Sequence, residues 1–186
     1  SSSSAASDVY KRQIQYDSHP YYGKIDIPNF LPQQVTKQCA DELNNLPLAL
    51  GKKFTRKGSA MWEYNNLSDT PIQEELVNVL HSSQFIIWVE KVSGVDRLIP
   101  DPHLIGAGYM KSFAGDTLKV HTDFNWVEEL HLHRAVSIII YFNENWNEEW
   151  GGALDFYDFN KQNKVSSTMP AFGNMFCLLY TSDAAD

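Results

Sequence analysis

Ala135 to Phe142 is an apolar run broken only by Ser137 and dominated by β-branched side chains. Its length and composition are those of a buried strand rather than a helix. Comparable short segments run from Leu104 to Tyr109, Thr117 to Asp123, Ala153 to Asp158 and Ala171 to Leu178, bounded by Gly, Asn, Pro or Asp. Turn residues at those boundaries punctuate successive strands. The earlier part of the chain carries helical periodicity instead. Helices followed by many short strands predict an α+β protein with a β-sandwich or jelly roll.

In the first half, Ile25 to Phe30 reads as a short strand closed by Pro28 and Asn29. Pro32 sits at a helix start. Val35, Cys39, Leu43 and Leu46 then recur at three- or four-residue steps, giving an amphipathic helix to about Asn45. Lys52 to Asn66 is polar with interspersed Met61, Trp62 and Tyr64, which suits a loop or a hairpin. Thr70 with Gln73 forms a capping-box pattern, and Pro71 takes the first helical position. Apolar positions from Leu76 to Val92 continue to a Gly94 stop, with a break near Ser82 and Ser83. No internal repeat is visible.

The chain has 186 residues, 43% of them hydrophobic, enough for one domain with a sizeable core. Fifteen basic against 23 acidic residues give a net charge of −8. No basic cluster interrupts that balance, which argues against nucleic-acid binding. No apolar run reaches membrane-spanning length. Cys39 and Cys177 are read as free thiols, with a soluble, cytoplasmic setting as the default. The Ser-rich opening through Gln13 and the closing Leu178 to Asp186 are expected to be adapter-derived, with a natural tail as the alternative. The remaining organisation is a helical supporting region over 14–97 and a strand-rich core over 98–177.

Within Gly115 to Asn125, His121 and Asp123 stand two residues apart. On a strand, alternation puts both side chains on one face and Leu118 and Val120 on the other. Such a pair can supply two neighbouring ligands to one metal ion. A facial triad of two His and one carboxylate needs only one more, distant His. The spacing alone is common, so its weight comes from the residues C-terminal to it: Arg134, the strand 135–142, Asn143 with Trp146, then Trp150-Gly151-Gly152-Ala153-Leu154.

That ordered series resembles the 2-oxoglutarate/Fe(II)-dependent dioxygenase superfamily, in its prolyl 4-hydroxylase-like branch. The resemblance is strong over residues 98 to 177 and loose over 25 to 97. It implies a double-stranded β-helix, or jelly roll, with N-terminal supporting helices and with its C-terminal part incomplete. It also implies Fe(2+), 2-oxoglutarate as co-substrate, and ascorbate as a further candidate. The expected reaction is hydroxylation of a prolyl or other peptidyl substrate, or a small molecule, with succinate and CO2 as co-products. Asp123 favours hydroxylation, because related halogenases lack this carboxylate.

By the same resemblance, His121 and Asp123 are the catalytic metal ligands. Tyr109, Tyr141 and Leu154 are the candidate co-substrate residues, each with ordinary core packing as its alternative. The third His ligand, and the basic residue that meets the far carboxylate of 2-oxoglutarate, are expected beyond Phe176, making this chain an inactive fragment. His131 and His133 are expected to be solvent-facing loop residues, and His19, His81 and His103 surface or structural ones. Asn125 and Arg134 match the pattern, as a loop former and a rim or second-sphere cation. Trp126, Trp146 and Trp150 could wall a substrate mouth or simply pack, and Gly151-Gly152 suits a tight turn. Two readings of other classes remain: a non-catalytic β-barrel binding module, and a cupin-like metal protein, which predicts a His-rich cluster.

Overall fold

The computed structural model describes residues 15–19, 22–56, 59–158 and 160–180. Of the tails expected to be adapter-derived, 1–13 and 181–186 lie outside them, whereas Leu178, Leu179 and Tyr180 of the closing one are described and end the last strand. Eleven strands are present among these residues: β1 (Gln15–His19), β2 (Tyr22–Ile27), β3 (Lys52–Arg56), β4 (Ser59–Tyr64), β5 (Tyr109–Lys111), β6 (Trp126–Val127), β7 (Leu132–His133), β8 (Val136–Ile140), β9 (Leu154–Tyr157), β10 (Lys164–Thr168) and β11 (Met175–Tyr180). The helices are α1 (Gln33–Asn45), α2 (Pro71–Leu80) and α3 (Ser83–Ser93). The mixed helix-and-sheet architecture matches the α+β expectation, and every strand pair is antiparallel.

The chain divides into two compact units, one made of residues up to Lys37 and from Phe124 onward, the other of Gln38–Asp123. In the first, four strands form a sheet in the order β1-β2-β11-β8, and β9 pairs with β10. Strand alternation sorts β2 and β11 into two faces. Met175 lies opposite Ile27 and Cys177 opposite Ile25, and all four are 0–2% exposed. The other face carries Phe176 opposite Asp26 and Leu178 opposite Lys24. Phe176 is fully buried, its ring centroid 5.4 Å from that of Phe156 on β9. Strand β8 lies at the edge of the sheet.

In the second unit, β3, β4 and β5 form a three-stranded sheet. The undecided segment 52–66 is thus a hairpin. Helices α2 and α3 start and stop close to where their sequence signals fall. Pro71 opens α2. The Ser82 hydroxyl accepts from the Phe85 N–H as the N-cap of α3, and Gly94 closes that helix at φ 72°. The capping box is realised differently from the expectation. Thr70 makes no side-chain cap bond; its hydroxyl donates to Gln73 Oε1 at 2.8 Å. The cap comes from Glu42 on α1, whose carboxylate accepts from the Ile72 and Gln73 N–H groups at 2.8 and 2.9 Å. A charged acceptor at the positive end of a helix outcompetes a neutral hydroxyl.

Several expected strands are shorter or displaced. Leu104 to Ala107 forms turns, because the Asp101 carboxylate takes the His103 and Ile105 N–H groups at 2.8 and 2.7 Å. Only Tyr109 onward is strand. Thr117 to Asp123 is irregular, bends at Val120 and joins no ladder. Its backbone makes isolated bonds, from Ala60 N–H to Thr117 O and from Lys119 N–H to Ser59 Oγ, each 3.0 Å. Leu118 and Val120 are 56% and 48% exposed, so no buried face pins this segment to a register. The segment from Ala171 turns at Gly173 before β11 begins, and β11 continues through Tyr180. Strands β1 to β4 fall within 14–97, alongside the helices expected there.

Candidate metal centre

Although the segment is not a strand, it still brings His121 and Asp123 together. His121 Nε2 is 3.1 Å from Asp123 Oδ1, and His121 Nδ1 is 2.7 Å from the Lys119 carbonyl. The carbonyl can only accept, so Nδ1 carries the proton of that bond. In the neutral ring Nε2 then presents a lone pair toward a carboxylate oxygen. Two acceptors facing each other call for a cation between them, either a second ring proton or a metal ion. Donor atoms about 2.1 Å from one ion, in adjacent octahedral positions, are separated by about 3 Å. The observed separation fits that edge. A ligating His that donates its other ring N–H to a backbone carbonyl is the usual way its orientation is fixed. Both side chains are solvent-accessible, at 47% and 34% exposure. Among the described residues no third His, Cys, Asp or Glu joins them.

The remaining expected residues fall in different places. His131 and His133 pack against Trp126, with ring centroids 6.1 and 4.9 Å from it. Arg134 stacks on Phe124, its guanidinium carbon 3.9 Å from the ring centroid, and its backbone N–H donates to the Asn125 carbonyl at 2.7 Å. The Trp146 indole N–H donates to Gly151 O at 2.8 Å, and its ring meets Trp150 edge-on. Gly152, at φ 75°, leaves room for Trp146: a Cβ there would lie 3.0 Å from the indole.

Tyr109 lies in the same unit as His121 and Asp123. It is 4% exposed. Burial first, and the neighbouring Cys39 thiol and Glu42 carboxylate next, push its hydroxyl far above the ordinary range. Tyr141 and Leu154 belong to the other unit. Burial, reinforced by Asp26, pushes the Tyr141 hydroxyl up to about 12. Leu154 lies opposite Thr168 in the β9–β10 ladder. Two hollows of this unit, about 260 and 450 Å³, are lined instead by residues such as Trp146, Met169, Phe172 and Gln33. Both are open and hold none of the expected co-substrate or metal residues.

Two features escape a reading of the sequence. One is Glu42, a cap supplied from thirty positions away. The other is a part-buried polar group formed by Lys24, Asp26 and Thr168. Its only sequence signal is the alternation Lys24-Ile25-Asp26-Ile27, polar on one face where both faces are covered. Cys39 and Cys177 are both buried and free.

Comparison with known proteins finds a similarity of the same kind. Residues 107–185 match the 2OG-Fe(II) oxygenase superfamily, so the resemblance read in the sequence to that superfamily, of prolyl hydroxylase-like kind, is shown. The family implies use of Fe(2+) and 2-oxoglutarate. Among curated proteins, the chain is similar to one from Mus musculus named Prolyl 3-hydroxylase OGFOD1, 27% identical over 170 residues. That alignment covers 87% of this chain, and the chain spans 28% of the relative's length. Among the described residues no helix is long and apolar enough to cross a membrane.

Proposed function

We propose that this chain belongs to an Fe(II)- and 2-oxoglutarate-dependent dioxygenase that hydroxylates a prolyl or other peptidyl residue, releasing succinate and CO2. The observation that carries the reading is the 3.1 Å approach of His121 Nε2 to Asp123 Oδ1, with Nδ1 tied to Lys119 O. The antiparallel pairs β8–β11 and β9–β10 are compatible with a jelly roll. In this reading His121 and Asp123 hold the iron, which supplies the oxidising chemistry when bound. The protein's own part is positioning. The Lys119 carbonyl sets the ring, and Asp123 lies beside it.

The substrate is less sharply defined than the reaction class. The branch resemblance points to C4 of proline, whereas the name of the mouse relative points to C3. Product analysis of a hydroxylated proline peptide separates the two. Because only two ligands converge among the described residues, turnover by this chain alone is expected to be weak. Metal binding is therefore the sharper readout. Mn(II) binding followed by electron paramagnetic resonance should be lost in His121→Ala. Equal affinity in wild type and variant overturns the assignment and favours a non-catalytic binding module.

A further inference from the structure

The two hollows of the first unit share Phe172 in their walls. The smaller, about 260 Å³, is bounded by Trp146, Met169 and Phe172 on its apolar sides and by Asn143, Asn145 and Glu148 on its polar ones. The larger, about 450 Å³, sets Gln33, Lys37 and Glu144 beside the same Phe172. Sites for whole small molecules span about 300–1,000 Å³ and enclose most of the ligand. The smaller hollow is below that range and open, which suits one side chain rather than a free cofactor.

Trp146 is held in place from three directions. Its indole N–H donates to Gly151 O at 2.8 Å, Trp150 meets its ring edge-on at 5.4 Å, and Gly152 has no Cβ to push it away. Across the hollow, Asn143 Nδ2 donates to the Pro170 carbonyl at 3.1 Å and ties the two sides together. Trp146 nevertheless stays 36% exposed and Trp150 63% exposed. Neighbouring exposed aromatics of this kind belong to contact surfaces, where such residues are enriched.

The charge here is one-sided. Glu144, Glu148 and Glu149 all follow β8 within one loop. Lys37, the one basic residue bordering either hollow, stands 3.6 Å from Glu144 in an exposed ion pair. Among the described residues no donor meets the Glu148 carboxylate. An aromatic face, two amides and an unpaired carboxylate call for a cationic guest with an apolar stem.

We propose that the double hollow docks a basic peptide segment, with one arginine side chain in the smaller part. Its methylenes lie along Met169 and Phe172, while its guanidinium stacks on Trp146 and meets Glu148. Arginine suits this combination better than lysine, because it stacks on aromatic faces and pairs with a carboxylate through two parallel N–H donors. The peptide then crosses Phe172 to the larger hollow, where the Gln33 and Gln34 amides offer its backbone donors and acceptors. Opening the exposed Lys37–Glu144 pair to admit it costs little. Docking here needs no metal and stands without the oxygenase reading.

The test is fluorescence anisotropy of a dye-labelled alanine pentapeptide with one central arginine, added to the metal-free full chain. Citrulline in place of that arginine keeps the shape, removes the charge and should weaken binding about tenfold or more. Trp146→Ala should weaken it about fivefold, and Glu148→Gln about tenfold. Glu129→Gln makes the same change in net charge on the β6–β7 turn and should leave binding unchanged. Glu148→Lys should reject the arginine peptide and take the peptide with glutamate in its place. This charge swap at an exposed side chain carries the test even where Trp146→Ala does not fold. No binding to wild type at millimolar peptide, equal affinity for the citrulline peptide, or equal losses in Glu129→Gln and Glu148→Gln overturn the inference. Mn(II) binding should be the same in Glu148→Gln as in wild type; its absence from both sinks the oxygenase reading and leaves the docking groove standing.

Discussion

Glu42 and Gln73 are joined across two helices: the Gln73 N–H donates to Glu42 Oε2 at 2.9 Å. The Ile72 N–H takes the other carboxylate oxygen at 2.8 Å. One side chain on α1 thus satisfies two orphan donors of α2 and opposes its dipole. Glu42→Ala should lower stability by about 1–2 kcal/mol, the range for a lost helix cap. Glu42→Gln keeps one acceptor and should lose roughly half as much. Urea denaturation followed by far-ultraviolet circular dichroism measures both, and equal stability of all three proteins contradicts the capping role.

The metal pair predicts a selective pattern among the histidines. His121→Ala and Asp123→Ala should each weaken Co(II) or Mn(II) binding by about tenfold or more. His133→Ala should leave it unchanged, because that ring packs on Trp126. Metal affinity that follows His133 rather than His121 places the ion elsewhere.

Gly108 sits where the backbone of β5 approaches that of β4. Its φ is 136°, and a Cβ there would lie 2.5 Å from the Tyr64 carbonyl oxygen. Neither strain nor clash can be relieved by a rotamer change, since the obstacle is main chain. Gly108→Ala should cost about 2–4 kcal/mol. A thermal midpoint within a degree of wild type contradicts it.

Alkaline stability follows from two buried neutral groups. The Cys177 thiol is pushed from an ordinary 9.0 up to about 12, by burial first and by Asp26 second. The Tyr141 hydroxyl moves from 10.0 to about 12 by the same causes in the same order. Above about pH 9 the unfolded chain releases these protons while the folded chain keeps them. Stability should therefore be intact below about pH 9 and fall as pH climbs toward 12, by about 1.4 kcal/mol per pH unit for each group titrating. Cys177→Ala should start less stable but decline less steeply from about pH 9. Parallel slopes for wild type and variant contradict this.

Legibility in the sequence tracks how local each signal is. Helices α1, α2 and α3 carry their own punctuation in Pro32, Pro71, Ser82 and Gly94, so their limits are readable. Strand β8 is readable from its nearly unbroken apolar run, and β9 from its apolar residues set between Gly152 and Asp158. Strand β10 is not, since Lys164-Val165-Ser166-Ser167-Thr168 has no apolar period and exists only through its partner β9. The 117–123 segment reads as a ladder strand and is not one, because alternation in sequence does not supply a neighbour to pair with. The His121–Asp123 approach survives that difference, since the two residues are close in sequence and the Lys119 carbonyl fixes the ring. Lys24 and Asp26 stay hidden because their environment is made by β9, β10 and β11, far along the chain.

The position of β8 at the sheet edge governs how this protein is to be handled. Among the described residues no strand pairs with its outer side, and Val136–Ile140 contains no lysine or proline to deter another strand. A net charge of −8 gives long-range repulsion, but salt at about 0.1 M screens it beyond about 10 Å. Colloidal lifetime, set by ionic strength and concentration, will thus limit the sample well before its melting temperature does.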